Sequence, residues 1–474
     1  MSISAAKKFE NFTAWFDDLL LKARIADNRF PVKGFLVYME NGAFMLDKIR
    51  ELLERELERA GHKKMYFPLV TSEEVFSKEA EHIKGFLKEV FVIDQGPGEQ
   101  RLIVRPTSET IMYPMFKLWI RSHADLPLKV YQSVNVYRRE TKATRALYRV
   151  REIPWNEAHT VHENASEAEK QVREAMEIYR RVLEKLGISY MTLKRPDFDK
   201  FAGAVYSIAF DAWNPDGKVN QVATVHNLGR NFARAYGLEF EKKDGSRGVP
   251  YQTCYGFGFS RVLAAVIAQH GDDHGLVLPP VIAPTQVVII PIPFKGQEKK
   301  IYEYSAKVRD LVASKWRTVL DDREDVTPGE KFYHWELLGT PVRLEIGPKE
   351  VVESSVTLAR RDTLERSKVS LEELPGKVDE VMKSIESNLL EKSRRMMMSL
   401  VSDAKTLDEV KKILRQRRIA RIEWCNETAC AEKLKEEVGG EIRGERYDIA
   451  EKPTGKCIVC GKPAKSVVYV SRAY

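Results

Sequence analysis

One segment between Val130 and Glu157 limits the folds open to this chain more than any other. The run VNVYRRETKATRALYRVREIPWNEAH is typical of two strands joined by a basic loop, with Arg138 and Glu140 closing the first strand. Alternate residues of a strand point to the same face, and here that face carries Arg149, Arg151, Trp155, Glu157 and His159. Charged residues are rarely buried without partners, and an arginine fork can grip a phosphate or carboxylate with two hydrogen bonds. We interpret this face as a ligand-binding surface; an exposed salt-bridge network is the alternative.

Composition indicates a soluble protein with more than one core. The chain has 474 residues, 43% of them hydrophobic, and no apolar run approaches the twenty or so residues that span a bilayer. Its first residues, MSISAAKKFENF, lack the apolar stretch of a signal peptide. We expect a cytoplasmic protein without a membrane partner. The net charge of +8 permits a polyanionic partner without requiring one.

Periodicity and proline punctuation predict an α/β protein of three units. The first unit, residues 1–283, mixes helices with strands and ends in RVLAAVIAQHG, a helix apolar nearly all round, and in the proline-rich VLPPVIAPTQ. Residues 284–400 alternate strand with helix, which predicts a small α/β domain with a largely parallel sheet. Residues 401–474 form a third, small α/β unit that contains a group of cysteines.

The cysteines of the third unit predict a structural zinc site. Cys425-x4-Cys430 and Cys457-x2-Cys460 supply four thiolates, which is the set that closes a tetrahedral site. Four protein ligands leave no open position for a catalytic water. The alternative is four unrelated free thiols. Cys254 lies far away in the sequence and is expected to be a pocket wall.

Three segments, in order, resemble the motifs of class II aminoacyl-tRNA synthetases. Residues 138–140 and 149–152, on either side of the basic loop, are similar to motif 2, and residues 61–68 are similar to motif 1, the dimer-forming element. The segment GFGFSR at 256–261 resembles motif 3. The resemblance implies the antiparallel catalytic sheet of that class in residues 1–283, and a homodimer.

Other segments resemble the prolyl-tRNA synthetases in particular. These are RPTSE at 105–109, WNEAH at 155–159, FAG at 201–203, QVATVH at 221–226 and TPGEKFYHWELLGTPVRLEIGP at 327–348. The similarity is to the type without an inserted editing domain and with a C-terminal zinc unit. It implies ATP-dependent attachment of L-proline to tRNA(Pro) through a prolyl-adenylate.

The resemblance also implies roles for individual residues. Glu109, helped by Thr107, would meet the imino nitrogen of proline. Of the catalytic pair, Arg138 would bridge the proline carboxylate and the α-phosphate and neutralise their charge, and Arg261 would hold ATP. The implied proline site comprises Thr107, Glu109, Arg138, Trp155, Glu157, His159, Phe201, His226 and Cys254. The implied ATP site, with Glu140 near the adenine or near Mg²⁺, comprises Arg138, Glu140, Arg149, Val150, Gln221, Thr224, Ser260 and Arg261.

Two features of the implied ATP site differ from regular strand alternation or from the usual family pattern. Gln221 and Thr224 differ in strand parity, so an irregularity must bring them to one ligand. The family usually places phenylalanine against adenine four residues after the second motif 2 arginine, whereas this chain has Ile153 there. The base would then rely on Arg261 and aliphatic contact.

The second unit resembles an anticodon-binding domain. Proline anticodons end in two guanines, whose edges arginine, lysine and carboxylates can read. Glu336, Arg343 and Lys349 are the residues that we expect to do so, with surface ion pairing as the alternative.

Two other functions stay open at this stage. One is a related enzyme such as a threonyl-tRNA synthetase, whose family carries a metal-binding cysteine and two histidines in the amino-acid site. The other is a non-catalytic, synthetase-like RNA-binding protein. The presence of Arg138, Arg149 and Arg261 favours catalysis.

Overall fold

A computed structural model describes residues 6–77 and 89–474. Up to residue 270 its helices are Phe12–Lys22, Glu40–Arg59, Glu73–Phe76, Glu109–Trp119, Ala165–Lys185, Asn231–Ala235 and Phe259–His270, with a 3₁₀ turn at His123–Asp125. The strands outside the main sheet are Ala26–Asp27, Val37–Tyr38, Val70–Ser72, Phe91–Ile93, Leu102–Val104, Phe240–Glu241 and Arg247–Gly248. No helix in the described ranges is long and apolar enough to cross a bilayer.

The main sheet of this region is antiparallel except at its edge. Its strands, in spatial order, are Met191–Lys194, Tyr206–Trp213, Lys218–Gly229, Tyr251–Gly258, Glu152–His162, Leu128–Tyr137 and Lys63–Lys64. The predicted strand pair is present, with Gln132 opposite Glu157 and Val130 opposite His159. Its second strand begins only at Glu152, so Arg149 and Arg151 precede the strand and do not continue the face of Trp155. The segment 61–68 contributes only the short strand Lys63–Lys64.

The helix Phe259–His270 is buried, as its all-round apolar sequence predicts, and it packs against the main sheet. Every residue of it is buried except Arg261, which is partly exposed. A helix that is apolar all round can be accommodated only inside a core, because each exposed aliphatic side chain forgoes about 1.5–3 kcal/mol of burial. The buried helix therefore presents one charged side chain, Arg261, at its first turn.

The region after residue 284 is an α/β unit with a mixed sheet. Its strands, in spatial order, are Thr318–Leu320, Val287–Pro291, Val342–Ile346, Ser355–Arg360 and Arg366–Ser370. The first three are parallel, but the last two are antiparallel hairpin partners, so the expectation of a largely parallel sheet holds only for part of it. The helices are Glu298–Ala313, Pro328–Leu337, Pro348–Val352 and Leu374–Leu400.

The cysteine-bearing region continues the main sheet. Its strands Val401–Asp403, Ile419–Trp424, Ser466–Ala473 and Glu441–Arg446 extend that sheet to eleven strands, and its helices are Leu407–Arg415 and Thr428–Val438. Glu445 pairs with Lys194, which makes Glu441–Arg446 the neighbour of Met191–Lys194. The last strand also pairs in parallel with Lys218–Gly229 through Arg472 and Lys218. This third unit is therefore joined to the first by backbone hydrogen bonds.

Candidate active site

A cavity of about 200 Å³ opens on the face of the main sheet. The strands Glu152–His162, Lys218–Gly229 and Tyr251–Gly258 form its floor, and the loop before helix Glu109–Trp119 closes one end. Twelve of the expected residues line it: Thr107, Glu109, Arg138, Trp155, Glu157, His159, Phe201, Gln221, Thr224, His226, Cys254 and Arg261. Ile153 lines it as well.

One end of the cavity is acidic. Glu109 is the first residue of its helix, is 2% exposed, and accepts a 2.5 Å hydrogen bond from Thr107 Oγ1. Nearby, Glu157 accepts from Ser108 Oγ at 2.5 Å and from Gln132 Nε2 at 2.9 Å. Burial alone would raise the pKa of Glu157, but hydrogen bonds from His159, Ser108 and Gln132 lower it below its usual value. Two buried acidic side chains, Glu109 and Glu157, therefore lie at this end of the cavity.

The thiol of Cys254 lies beside this acidic end. Glu109, His159 and Cys254 each have a side-chain atom that could bind a metal ion, and these three atoms lie within 4.8 Å of one another. Burial, and then the neighbouring carboxyl group of Glu109, raises the pKa of Cys254 well above its ordinary value. His159 in turn bonds Tyr113 through Nδ1 at 3.0 Å. Cys254 thus has nearby partners that sequence reasoning did not find, one histidine and one carboxylate.

Aromatic rings form the wall of the cavity. Phe201 packs on His226 with 4.7 Å between ring centroids. His226 is held at both ring nitrogens, by Ser207 at 2.7 Å and Thr224 at 2.9 Å. Burial, with a smaller effect of His159, lowers the pKa of His226 to about 3, so the ring is neutral at physiological pH. This wall offers a small apolar slot rather than a charge.

Trp155 covers a glycine of the neighbouring strand. A Cβ atom on Gly256 would stand 2.1 Å from Cζ2 of the indole, so only glycine allows the ring to lie flat against that strand. The first glycine of the GFGFSR segment is therefore explained by close packing under Trp155.

The other end of the cavity is cationic. Arg138 donates from Nε to the carbonyl of Pro106 at 3.1 Å. Arg261 donates to the carbonyls of Tyr148 and Gln221, at 2.9 and 3.2 Å. Burial, then repulsion from Arg138 and Arg149, lowers the pKa of Arg261 to about 10, which leaves it charged at neutral pH. Two cations held by backbone carbonyls thus face the same space.

A bulge in the strand Lys218–Gly229 brings Gln221 and Thr224 to one face. Phe210 pairs with Ala223 and Asp211 pairs with Gln221, so Val222 is the extra residue. The irregularity that the strand parity demanded is present, and both side chains line the cavity.

Four residues expected in the ATP site lie outside the cavity lining. Arg149 Nη1 donates to Glu140 Oε2 at 2.9 Å, and this pair lies in the loop between the two motif 2 strands. Val150 is 3% exposed and packs with Val136 and Ile153. Ser260 is fully buried in the first turn of its helix. The side chains of Val150 and Ser260 are thus buried away from the cavity lining.

The cavity contains residues that the sequence analysis did not single out. Arg195, Asp199 and Ser207 line it. Arg195 and Asp199 belong to the run KRPDFDK at 194–200, directly before the recognised FAG segment. Charged residues this close to a motif could have been used to predict them. Ser207 carried none, since a serine within a strand is common.

The four cysteines of the third unit form a compact cluster. Their Sγ atoms lie within 4.8 Å of one another, with Cys425 at 3.6 Å from Cys430 and 3.7 Å from Cys460. A disulfide would need about 2.05 Å. A tetrahedron with metal–sulfur bonds of about 2.3 Å has edges of about 3.8 Å, which matches the observed spacing. The cluster could therefore hold one zinc ion.

A second cavity, of about 220 Å³, is lined mainly by the α/β unit, together with His274 of the first unit. Arg343 pairs with Glu336 at 2.9 Å, and both line this cavity together with Arg360, Arg361 and Arg366. Lys349 is exposed on the short helix Pro348–Val352 and does not line it. Of the three residues expected to read the anticodon, Glu336 and Arg343 therefore lie together in this cavity, and Lys349 lies outside it.

Comparison with known proteins decides the family. Residues 91–270 match the class II tRNA synthetase core domain (G, H, P, S and T), residues 286–381 an anticodon-binding domain, and residues 407–474 the prolyl-tRNA synthetase C-terminal domain. The proline–tRNA ligase of Pyrococcus abyssi is 46% identical over 473 residues, which cover 98% of both chains. The chain belongs to the proline–tRNA ligases. The proline–tRNA ligase of Metallosphaera sedula is 43% identical over 483 residues, which cover 100% of both chains.

Solved structures agree. The Giardia lamblia prolyl-tRNA synthetase in complex with prolyl-adenylate superposes with a TM-score of 0.96 at 34% identity, covering all of both chains. The Cryptosporidium parvum enzyme complexed with halofuginone and AMPPNP gives 0.94 at 30% identity, over 100% of this chain and 99% of that one. The class II core domain is shared by five specificities, so the C-terminal domain and the full-length relatives are what exclude the threonyl alternative.

Proposed function

We propose that this chain activates L-proline with ATP to form prolyl-adenylate and transfers the prolyl group to tRNA(Pro). One observation carries the assignment of the site. A single cavity combines an acidic end at Glu109, a neutral aromatic wall at Phe201 and His226, and a cationic end at Arg138. These three features match a cyclic imino acid, which has a cationic nitrogen, an apolar ring and a carboxylate.

At the proline end, Glu109 accepts a hydrogen bond from the imino nitrogen, and Thr107 holds that carboxylate. Glu157 and His159 support the same wall, while Trp155, Phe201, His226 and Cys254 enclose the ring. An acceptor-only carboxylate discriminates in favour of a cationic amine. Enclosure by aromatic groups excludes larger side chains by steric overlap.

At the ATP end, Arg138 and Arg261 contact the phosphates, and Gln221 and Thr224 contact the nucleotide. Ile153 supplies an aliphatic surface for the adenine. Glu140 and Arg149 contact ATP from the motif 2 loop, and Glu140 offers a carboxylate oxygen of the kind that Mg²⁺ prefers.

The reaction needs no protein nucleophile. A carboxylate oxygen of proline attacks the α-phosphorus of ATP, the bond to the β-phosphate oxygen breaks, and pyrophosphate leaves. Two guanidinium groups beside the reacting centre stabilise the negative charge that develops on the phosphoryl oxygens. A terminal ribose hydroxyl of the tRNA then attacks the prolyl carbonyl carbon, and AMP leaves.

The other two units bind the tRNA and support the catalytic unit. We assign residues 1–283 to catalysis, 284–400 to anticodon binding and 401–474 to the C-terminal zinc unit. Glu336 and Arg343 offer an acceptor and donors to a guanine edge in the second cavity. Lys349, the third anticodon candidate, is exposed outside this cavity. The zinc ion is structural, since Cys425, Cys430, Cys457 and Cys460 complete its coordination.

The active protein is a cytoplasmic homodimer in this proposal. The segment 61–68 presents Tyr66 with 73% of its surface exposed, and Leu69 is 45% exposed. We take these two exposed apolar side chains, three positions apart, as part of an interaction surface. Closed two-fold dimers are the commonest way to cover one.

Pyrophosphate exchange with each of the twenty amino acids tests the activity. Proline should support strong exchange and threonine should not. Strong exchange with another amino acid, or with none, contradicts the proposal.

A further inference from the structure

A chain of hydrogen bonds through buried charged side chains connects the C-terminal unit to the ATP end of the cavity. Arg443 belongs to the strand Glu441–Arg446, and its Nε donates to Asp211 Oδ2 at 2.8 Å. The other carboxylate oxygen of Asp211 accepts from Arg195 Nη2, also at 2.8 Å. Arg195 Nη2 further donates to Gln221 Oε1 at 2.8 Å. Three hydrogen bonds thus connect Arg443 of the C-terminal unit to Gln221 in the active-site cavity.

These groups are removed from solvent. Asp211 is 1% exposed, Arg195 6% and Arg443 7%. Burial alone would raise the pKa of Asp211, but Arg195 and Arg443 lower it below its usual value, so the carboxylate is charged. Separating these groups would leave a buried charge without its partner, which is strongly unfavourable. The side chains of Arg443, Asp211 and Arg195 therefore keep one arrangement.

Two backbone irregularities make these contacts fit. Arg443 is the extra residue at a bulge between Ile442 and Gly444. A Cβ on Gly444 would lie 2.1 Å from the carbonyl oxygen of Lys194, so the two strands approach closely there. Arg195 Nη1 also donates to the backbone carbonyl of Arg443 at 2.6 Å. The second irregularity is the bulge opposite Asp211 that turns Gln221 into the cavity.

The contact with Arg195 fixes which end of the Gln221 amide meets the ligand. A guanidinium group has donors only, so the atom that it contacts must be the carbonyl oxygen of the amide. The NH₂ group of Gln221 is then the part that can donate to an acceptor in the cavity.

We propose that Arg443 is a positioning residue for ATP: through Asp211 and Arg195 it holds the carboxamide of Gln221 with its NH₂ group directed at the nucleotide. The C-terminal unit then completes the nucleotide site without touching the nucleotide. This inference rests on the proposed contact between Gln221 and ATP.

The test compares Arg443→Met, Gln221→Ala and the double variant in proline-dependent pyrophosphate exchange. Displacing a group that orients a ligand contact should raise KM for ATP about tenfold, with KM for proline changed less than about twofold. In the Gln221→Ala background, Arg443→Met should add nothing, since both changes remove the same contact. Arg446→Met is the matched control, because Arg446 lies on the same strand and pairs with Asp448 at 2.5 Å.

Each other outcome overturns the inference. If Gln221→Ala leaves KM for ATP unchanged, the proposed ATP contact fails and the inference fails with it. If Gln221→Ala raises KM but Arg443→Met does not, or if the two effects multiply, only the positioning role fails. Zinc content and melting temperature identify variants that have lost the fold. Should Arg443→Met not fold, Arg443→Lys keeps the charge but loses the planar fork, and an unchanged KM for ATP in that variant overturns the proposal.

Discussion

Ser108 donates two hydrogen bonds to Glu157, from its backbone N–H at 3.1 Å and from Oγ at 2.5 Å. These residues are 49 positions apart, and Ser108 directly precedes Glu109. Ser108 is the N-cap of its helix, yet its side chain makes no capping hydrogen bond. Its hydroxyl instead fixes the helix that carries Glu109 against the strand that carries Glu157.

We expect Ser108→Ala to weaken proline binding and lower stability. It removes the shortest of the hydrogen bonds to Glu157, a buried carboxylate, which costs about 1–3 kcal/mol. KM for proline should rise while KM for ATP changes little, as measured by pyrophosphate exchange. Ser246→Ala, in an exposed turn, is the control. Equal changes in both KM values would contradict the local role.

Arg138→Ala should abolish proline activation and leave the protein folded. The side chain faces the cavity where carboxylate and phosphate meet, and lost transition-state electrostatics cost about 3–4 kcal/mol or more. Exchange rates and circular dichroism measure the two properties. Arg29→Ala removes an exposed arginine that pairs with Asp27, and should have no effect. Near-normal exchange in folded Arg138→Ala would rule out the assigned role.

Protein prepared without chelator should contain one zinc per chain. Replacing Cys430 with serine removes one ligand of the cluster, so zinc content and melting temperature should both fall. Cys254→Ser is the matched control. Cys254 lines the active-site cavity, so this substitution should leave the zinc content unchanged. Elemental analysis gives the answer, and a wild-type preparation free of zinc would refute the site.

Stability should decrease as pH falls from about 7 towards 3, in part because of His226. Burial lowers its folded pKa to about 3, while the unfolded value is about 6.5. Between these values the unfolded chain binds the extra proton, so the free energy of unfolding falls by about 1.4 kcal/mol per pH unit. Replacing His226 with glutamine should make denaturant midpoints less dependent on pH between 7 and 5. An unchanged slope would mean that His226 does not bind this proton on unfolding.

We expect Tyr66→Glu to convert the homodimer to a monomer. The substitution places a charge in the centre of the proposed apolar interface, where a charge without a partner is unfavourable. Light scattering at micromolar concentration measures the mass. Phe294→Glu, at another exposed apolar position, should leave the dimer intact. A monomeric wild-type protein would contradict the proposal outright.

Much of this protein follows from short-range patterns. Alternation within Glu152–His162 was enough to place Trp155, Glu157 and His159 on one face, because a strand has a period of two whatever surrounds it. The apolar helix after the GFGFSR segment and the grouping of the cysteines were equally readable. Each depends on residues a few positions apart.

Tertiary structure decided what depends on distant segments. Sequence continued the binding face back to Arg149, whereas the strand begins at Glu152 and Arg149 pairs with Glu140. No pattern shows that Arg443 contacts Asp211, which is 232 residues away. Whether a charge is buried, and beside which partner, depends on how separate elements pack. The sequence therefore determined the motifs and the strand faces, and the packing determined how Ser108, Arg195 and Arg443 support the site.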